Sequence, residues 1–222
     1  MVVSNYYPVT QDFGLIETDP VSVADEIQRW WLELGHRLDV KHEQNTLSGF
    51  LSELEPLCAV LNKTLLLPAK NRWTVVYRNG LNGSDPLSIA RVLSRRMRVR
   101  TMCVCSKPDA VFPATMWSVY DPDAVCRRSI CAANDGGRWV FEQFGEPFDF
   151  ENTSSFSARR KKDRFTPEML ATNLSHFQID DIGEGLFEDG PTLPGILLSR
   201  EVPKTVMTYS FEEVQNGLPW KT

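Results

Sequence analysis

Val99-Arg100-Thr101-Met102-Cys103-Val104-Cys105, Thr115-Met116-Trp117-Ser118-Val119-Tyr120, Val125 to Ala132 and Arg138-Trp139-Val140-Phe141-Glu142-Gln143-Phe144 form four short runs rich in β-branched and aromatic residues. Such residues favour strands because their side chains pack well on a pleated surface. Asp121-Pro122-Asp123 and Asn134-Asp135-Gly136-Gly137 stand between runs as turn signals. Strands joined this tightly predict an antiparallel meander, because a parallel pair needs a crossover of a dozen or more residues.

Upstream, Trp73, Val75 and Tyr77 alternate with Thr74, Val76 and Arg78, which predicts a half-buried strand. Asn79-Gly80 and Asn82-Gly83 read as turns. Asp85-Pro86 then opens a helix bearing Leu87, Ile89, Ala90 and Leu93, with Arg91, Arg95 and Arg96 toward its end, where cations suit the helix dipole. The clearest helix lies further back, with Asp19 as cap, Pro20 at its first position and Gly35 just past its end. Its apolar face carries Val23, Ile27, Trp30, Trp31 and Leu34, and both tryptophans are expected in the core. A second helical stretch is expected from Thr46 to Leu61, divided by Pro56.

Downstream of Gly145-Glu146-Pro147, residues 153–162 are a helix candidate. Thr166-Pro167-Glu168 starts a further helix with Met169, Leu170, Leu174 and Phe177 as its apolar positions. Two short strands, Gly195 to Arg200 and Thr205 to Phe211, are expected to close the chain. The fold expected is α+β, an antiparallel meander packed with N-terminal and C-terminal helices, in one domain over residues 1–222.

Of 222 residues 42% are hydrophobic, enough for a substantial core, and 24% are charged, which argues against wholesale disorder. The net charge of −5 disfavours nucleic acid as a partner, since duplex binders carry a basic excess. Met1 to Tyr7 has neither the basic nor the apolar part of a signal peptide, and no run approaches the length of a membrane span. The five cysteines, Cys58, Cys103, Cys105, Cys126 and Cys131, are expected as buried thiols in a cytoplasmic protein, with Cys103 and Cys105 on one strand face.

No motif supplies catalysis. His36, His42 and His176 lack metal-pair spacing, Cys-x-x-Cys is absent, and neither a Gly-x-Ser-x-Gly elbow nor a Walker loop occurs. No metal and no cofactor is expected. Two charge clusters are the candidate sites. Asp180, Asp181, Glu184, Glu188 and Asp189 surround Leu186 and Phe187, so this loop could grip a basic protein surface with the apolar pair as anchors. The alternative is the basic cluster Arg159, Arg160, Lys161, Lys162 and Arg164, which together with Arg91, Arg95 and Arg96 would form one basic face for nucleic acid. Within the chain, Arg160 and Arg164 are expected to pair with the acids of residues 146–151.

The segments Ala133-Asn134-Asp135-Gly136-Gly137-Arg138-Trp139-Val140-Phe141, Phe144-Gly145-Glu146-Pro147 and Ala158-Arg159-Arg160-Lys161-Lys162-Asp163-Arg164-Phe165-Thr166-Pro167-Glu168-Met169-Leu170 resemble an uncharacterised bacterial protein family over about residues 70–180. That family is similar in character to the immunity proteins of polymorphic or contact-delivered toxins. The resemblance implies a non-enzymatic protein that neutralises a basic toxin domain by direct binding, and it transfers no functional residue. An enzyme whose site is assembled only by the fold is the remaining alternative.

Overall fold

Nine strands build one antiparallel sheet in the computed structural model, which describes residues 3–201 and 203–217. Met1 and Val2 of the N-terminal stretch lie outside the described residues. The chain runs β1 (Asp12–Ile16), α1 (Pro20–Glu33), β2 (Asp39–Asn45), α2 (Leu47–Ser52), β3 (Leu57–Cys58), β4 (Lys63–Pro68), β5 (Thr74–Arg78) and α3 (Leu87–Met97). It continues through β6 (Thr101–Lys107), β7 (Ala114–Tyr120), β8 (Cys126–Asp135), β9 (Arg138–Phe144), α4 (Pro167–Ser175), β10 (Leu193–Ser199), β11 (Thr208–Tyr209) and α5 (Phe211–Gln215). The architecture is α+β, as expected.

The meander is the strip β6-β7-β8-β9, in sequence order along one half of the sheet. The other half is shuffled. β1 sits between β5 and β6, and β10 is inserted between β2 and β4, so the full order is β2-β10-β4-β5-β1-β6-β7-β8-β9. β2 and β9 are the two edges.

Alternation along each strand separates two faces. On one, Phe13, Leu15, Leu65, Val75, Met102, Val104, Trp117, Val119 and Ile130 lie in a continuous core covered by α2, α4, α5 and the 148–187 segment. On the other, Ile16, Leu66, Val76, Ile196 and Leu198 pack under α1 and α3. The first is called the deep face below and the second the helical face. β5 is buried along its whole length rather than half-buried, because it runs through the middle of the sheet with both faces covered.

The signals at α1 and α4 act locally as read. Asp19 accepts from the Ser22 N–H at 2.9 Å with Pro20 behind it, and Thr166 accepts from the Met169 N–H ahead of Pro167. Four expectations are corrected. The Thr46–Leu61 helix stops at Ser52, and Leu57–Cys58 pairs with β11, because Pro56 offers no N–H to continue a helix. Residues 153–162 form two short 3-10 turns, Thr153–Ser157 and Lys161–Asp163. There Ser155 and Ser157 donate to the carbonyls of Asn152 and Ser154, the competition by which serine disfavours helix interiors. Phe211 starts α5 rather than ending a strand, since Ser210 and Glu213 form a reciprocal capping box. Trp30 and Trp31 are only partly buried at the end of α1, where Arg200 lies 4.5 Å over the Trp31 ring.

Candidate functional site

On the helical face α3 reaches across β6 to β7, where Tyr120 is buried. Beyond that the face is open: Met116, Glu142 and Phe144 on β7 and β9 are exposed. The register aligns Cys103 with Ser118 and Ser129, Cys105 with Met116 and Cys131, and Cys131 with Glu142, all on this side. Leu87, Phe112 and Met116 stand exposed on or beside this surface, and Phe144 at its edge is 62% exposed. Leu87, Phe112 and Met116 line one cleft together. Four of the five cysteines belong to this side of the sheet, so the reading that Cys103 and Cys105 share a face holds and extends to Cys126 and Cys131.

At the head of this half-face, below the first turn of α3, is that cleft of about 460 Å³, lined by Asp12, Asp85, Lys107, Cys103, Cys105 and Met116. Asp12 starts β1 there, opposite Cys105. The turn at Gly83 closes over it so tightly that a Cβ at Gly83 would stand 2.9 Å from the Asp12 Oδ2. Burial pushes the Asp12 carboxyl up to about 6, against the pull of Lys107 and of the Asp85 N–H. Asp85 itself holds a left-handed backbone (φ 42°), and Lys107 donates to the Asn82 carbonyl at 2.7 Å. A carboxyl pushed upward by burial, beside a left-handed turn residue in a cleft, is a candidate site.

The surroundings of four thiols disfavour the thiolate form. Burial, and next the negative charge of Asp12, raises Cys103 and takes Cys105 up to about 12; burial raises Cys126 and Cys131 as well. The histidines are placed elsewhere: His36 packs against Trp31. His42 is on the far edge strand, and His176 stacks 4.1 Å from Phe150 on the deep side. Among the described residues no group of three or more His, Cys, Asp or Glu side chains is placed to hold a metal ion. No described helix is long and apolar enough to cross a membrane.

The two charge clusters are placed differently from what their sequence suggested. In the acidic loop, Leu186 and Phe187 are 3% and 4% exposed and belong to the deep core, so they anchor the loop to this protein and not to a partner. Asp181 accepts from the Gly183 and Gly185 N–H groups, while Asp180, Glu184, Glu188 and Asp189 line the exposed rim. This loop is on the opposite side of the sheet from the open half-face, so the two cannot share one flat contact.

The single basic face does not form either. Arg159, Arg160, Lys161, Lys162 and Arg164 sit against the deep side of β8 and β9, whereas Arg91, Arg95 and Arg96 ride on α3 over the helical side. Arg96 is already held by Glu26 and Glu33 of α1. The expected pairing of Arg160 and Arg164 with residues 146–151 is also corrected: Arg160 binds Asp163, and Arg164 donates to the Ala158 carbonyl and lies over Phe141. The acid of that segment, Glu151, is taken instead by Arg128.

Sequence reasoning missed Asp12, Lys107 and the exposed apolar set. Gln11-Asp12-Phe13 carries no motif, and Asp12 gains its environment only when the 82–86 turn folds over it. No protein-family model, curated protein or solved structure matches the chain. Fold and site together define an α+β protein with half of one sheet face bare and a protonatable carboxyl at its head.

Proposed function

We propose that this chain is a non-enzymatic binding protein that docks a protein partner on the bare half-face of β6–β9, in the manner of an immunity protein holding a basic toxin domain. The observation that carries the reading is the exposure of Leu87, Phe112, Met116 and Phe144 around a thiol-lined floor, while the central strands β1, β4 and β5 are packed on both sides. Apolar side chains of the partner would cover these residues, and a lysine or arginine would meet Asp12 and Asp85 at the head of the cleft. Such a cation favours the ionised form of Asp12, so affinity is expected to rise as pH climbs through about 6. The acidic balance of the chain supports fast association with a basic partner.

The test uses the product of the adjacent gene as bait and as challenge. Binding at micromolar concentration, rescue of cells from that product, and loss of both in Met116→Glu/Phe144→Glu are the expected results. A non-toxic neighbour, or binding indifferent to the two substitutions, overturns the proposal.

A second reading uses Asp12 as a general base, because its carboxyl titrates close to neutral pH within a cleft. It requires turnover with a pH dependence near 6 that Asp12→Asn abolishes. Retention of that turnover in the variant would remove it.

A further inference from the structure

Sequence, turn geometry and charge at the open edge point to a second copy of this chain as a further partner. β9 is the outermost strand on the meander side. The β8–β9 hairpin closes through Gly136-Gly137, both at positive φ, which leaves Asp135 opposite Arg138. A two-residue turn makes that closing pair a hydrogen-bonded one, and the pattern alternates from there. Arg138, Val140, Glu142 and Phe144 therefore aim their backbone groups at β8. Trp139, Phe141 and Gln143 aim theirs outward, where among the described residues those N–H and C=O groups meet no partner.

The residues of this edge are complementary to their own reversed copy. An antiparallel pairing centred on Val140 sets Arg138 opposite Glu142 of the second copy and Glu142 opposite its Arg138. It sets Trp139 opposite Phe141, with their outward N–H and C=O groups in register to bond. Arg138 and Glu142 are both exposed and make no ion pair among the described residues. Opposed charges and aromatic pairs are the contacts that stabilise an antiparallel ladder. The exposed Phe144 comes beside the side-chain-free glycine tip of the other copy, where a Cβ on either glycine would meet nothing within 4 Å.

The opposite edge behaves differently. β2 reads Asp-Val-Lys-His-Glu-Gln-Asn, and its Lys41 is already bound by Glu43 and Glu53. A polar edge with its charges engaged is how proteins discourage strand addition. β9 combines open backbone groups with Trp139, Val140, Phe141 and Phe144.

We infer that two copies pair β9 to β9 about a two-fold axis at Val140, joining their bare half-faces into one continuous surface. The inference does not rest on the proposed docking of a partner, and it is read out separately, by mass of the purified chain alone. Sedimentation equilibrium of the whole chain should show a dimer at micromolar concentration. Arg138→Glu places two glutamates opposite each other twice over, and Glu142→Arg does the same with arginines. Each is expected to weaken association about tenfold or more. Both changes together restore opposite charges and should restore the dimer. A monomeric wild type, a dimer that tolerates either single reversal, or a double variant no tighter than the singles would each overturn it.

Discussion

The guanidinium of Arg128 on β8 and the carboxylate of Glu151 meet at 2.7 Å with both side chains wholly shut off from water. Arg128 Nε also donates to both Glu151 oxygens, Nη2 to Gln143, and Nη1 to the Phe144 and Gly145 carbonyls. Glu151 in turn accepts from the Phe148 N–H. A buried pair is tolerable only when its remaining hydrogen-bonding capacity is used, and here it is. The pair ties the 145–151 turn to the meander, which holds Phe148 and Phe150 over Phe177.

Removing one partner leaves a buried, uncompensated charge. Glu151→Ala or Arg128→Met is expected to cost about 3–5 kcal/mol in chemical denaturation. Arg128→Met combined with Glu151→Leu should recover most of that loss, since apolar replacement of the whole pair removes the desolvation penalty. Equal losses in single and double variants would contradict this account.

Asp12 opposes the fold at neutral pH. Its folded pKa of about 6 lies above the ordinary 3.8, so the native state holds the proton more tightly than the unfolded chain. Its own contribution to stability is therefore greatest below about pH 4, declines as pH rises through 6, and then levels, a change of up to about 3 kcal/mol. Asp12→Asn should raise the melting temperature at pH 7.5 and flatten this decline. If the wild type and the variant lose stability equally between pH 4 and pH 7.5, Asp12 is not the group responsible.

The thiols should react slowly. With Cys103, Cys105, Cys126 and Cys131 all raised by burial, few molecules carry a thiolate at pH 7. Alkylation followed by intact mass should show these four lagging a free cysteine, and all five reacting promptly once the chain is unfolded. Rapid labelling of Cys103 in the native protein would contradict the neutral-thiol assignment.

Two apolar groups should respond oppositely to substitution. Met116→Ala and Phe144→Ala are expected to change stability by about 0.5 kcal/mol or less, because both side chains face water. Leu186→Ala and Phe187→Ala remove buried core groups and should cost about 2–5 kcal/mol. Urea denaturation of the four variants checks the contrast, and similar losses in all four would dispel it.

Much of the fold was written locally. The period-two runs from Thr101 to Phe144, the Asp19-Pro20 and Thr166-Pro167 helix starts, and the Gly136-Gly137 turn each act through neighbours a few residues away, so the α+β class and the meander were legible. The common face of Cys103 and Cys105 followed from strand pleating alone. What needed the folded chain were relations between distant segments. β10 enters the sheet beside β4 from more than a hundred residues away, and the 82–86 turn closes on Asp12 and leaves it partly buried in a cleft. Leu186 and Phe187 turn inward to the core instead of out to a partner. Burial depends on what the rest of the chain leaves uncovered, and no periodicity encodes that. The absence of catalytic motifs and the acidic charge came from the residues themselves; that Met116, Glu142 and Phe144 stand exposed on the helical face was decided only by how far across the sheet α3 reaches.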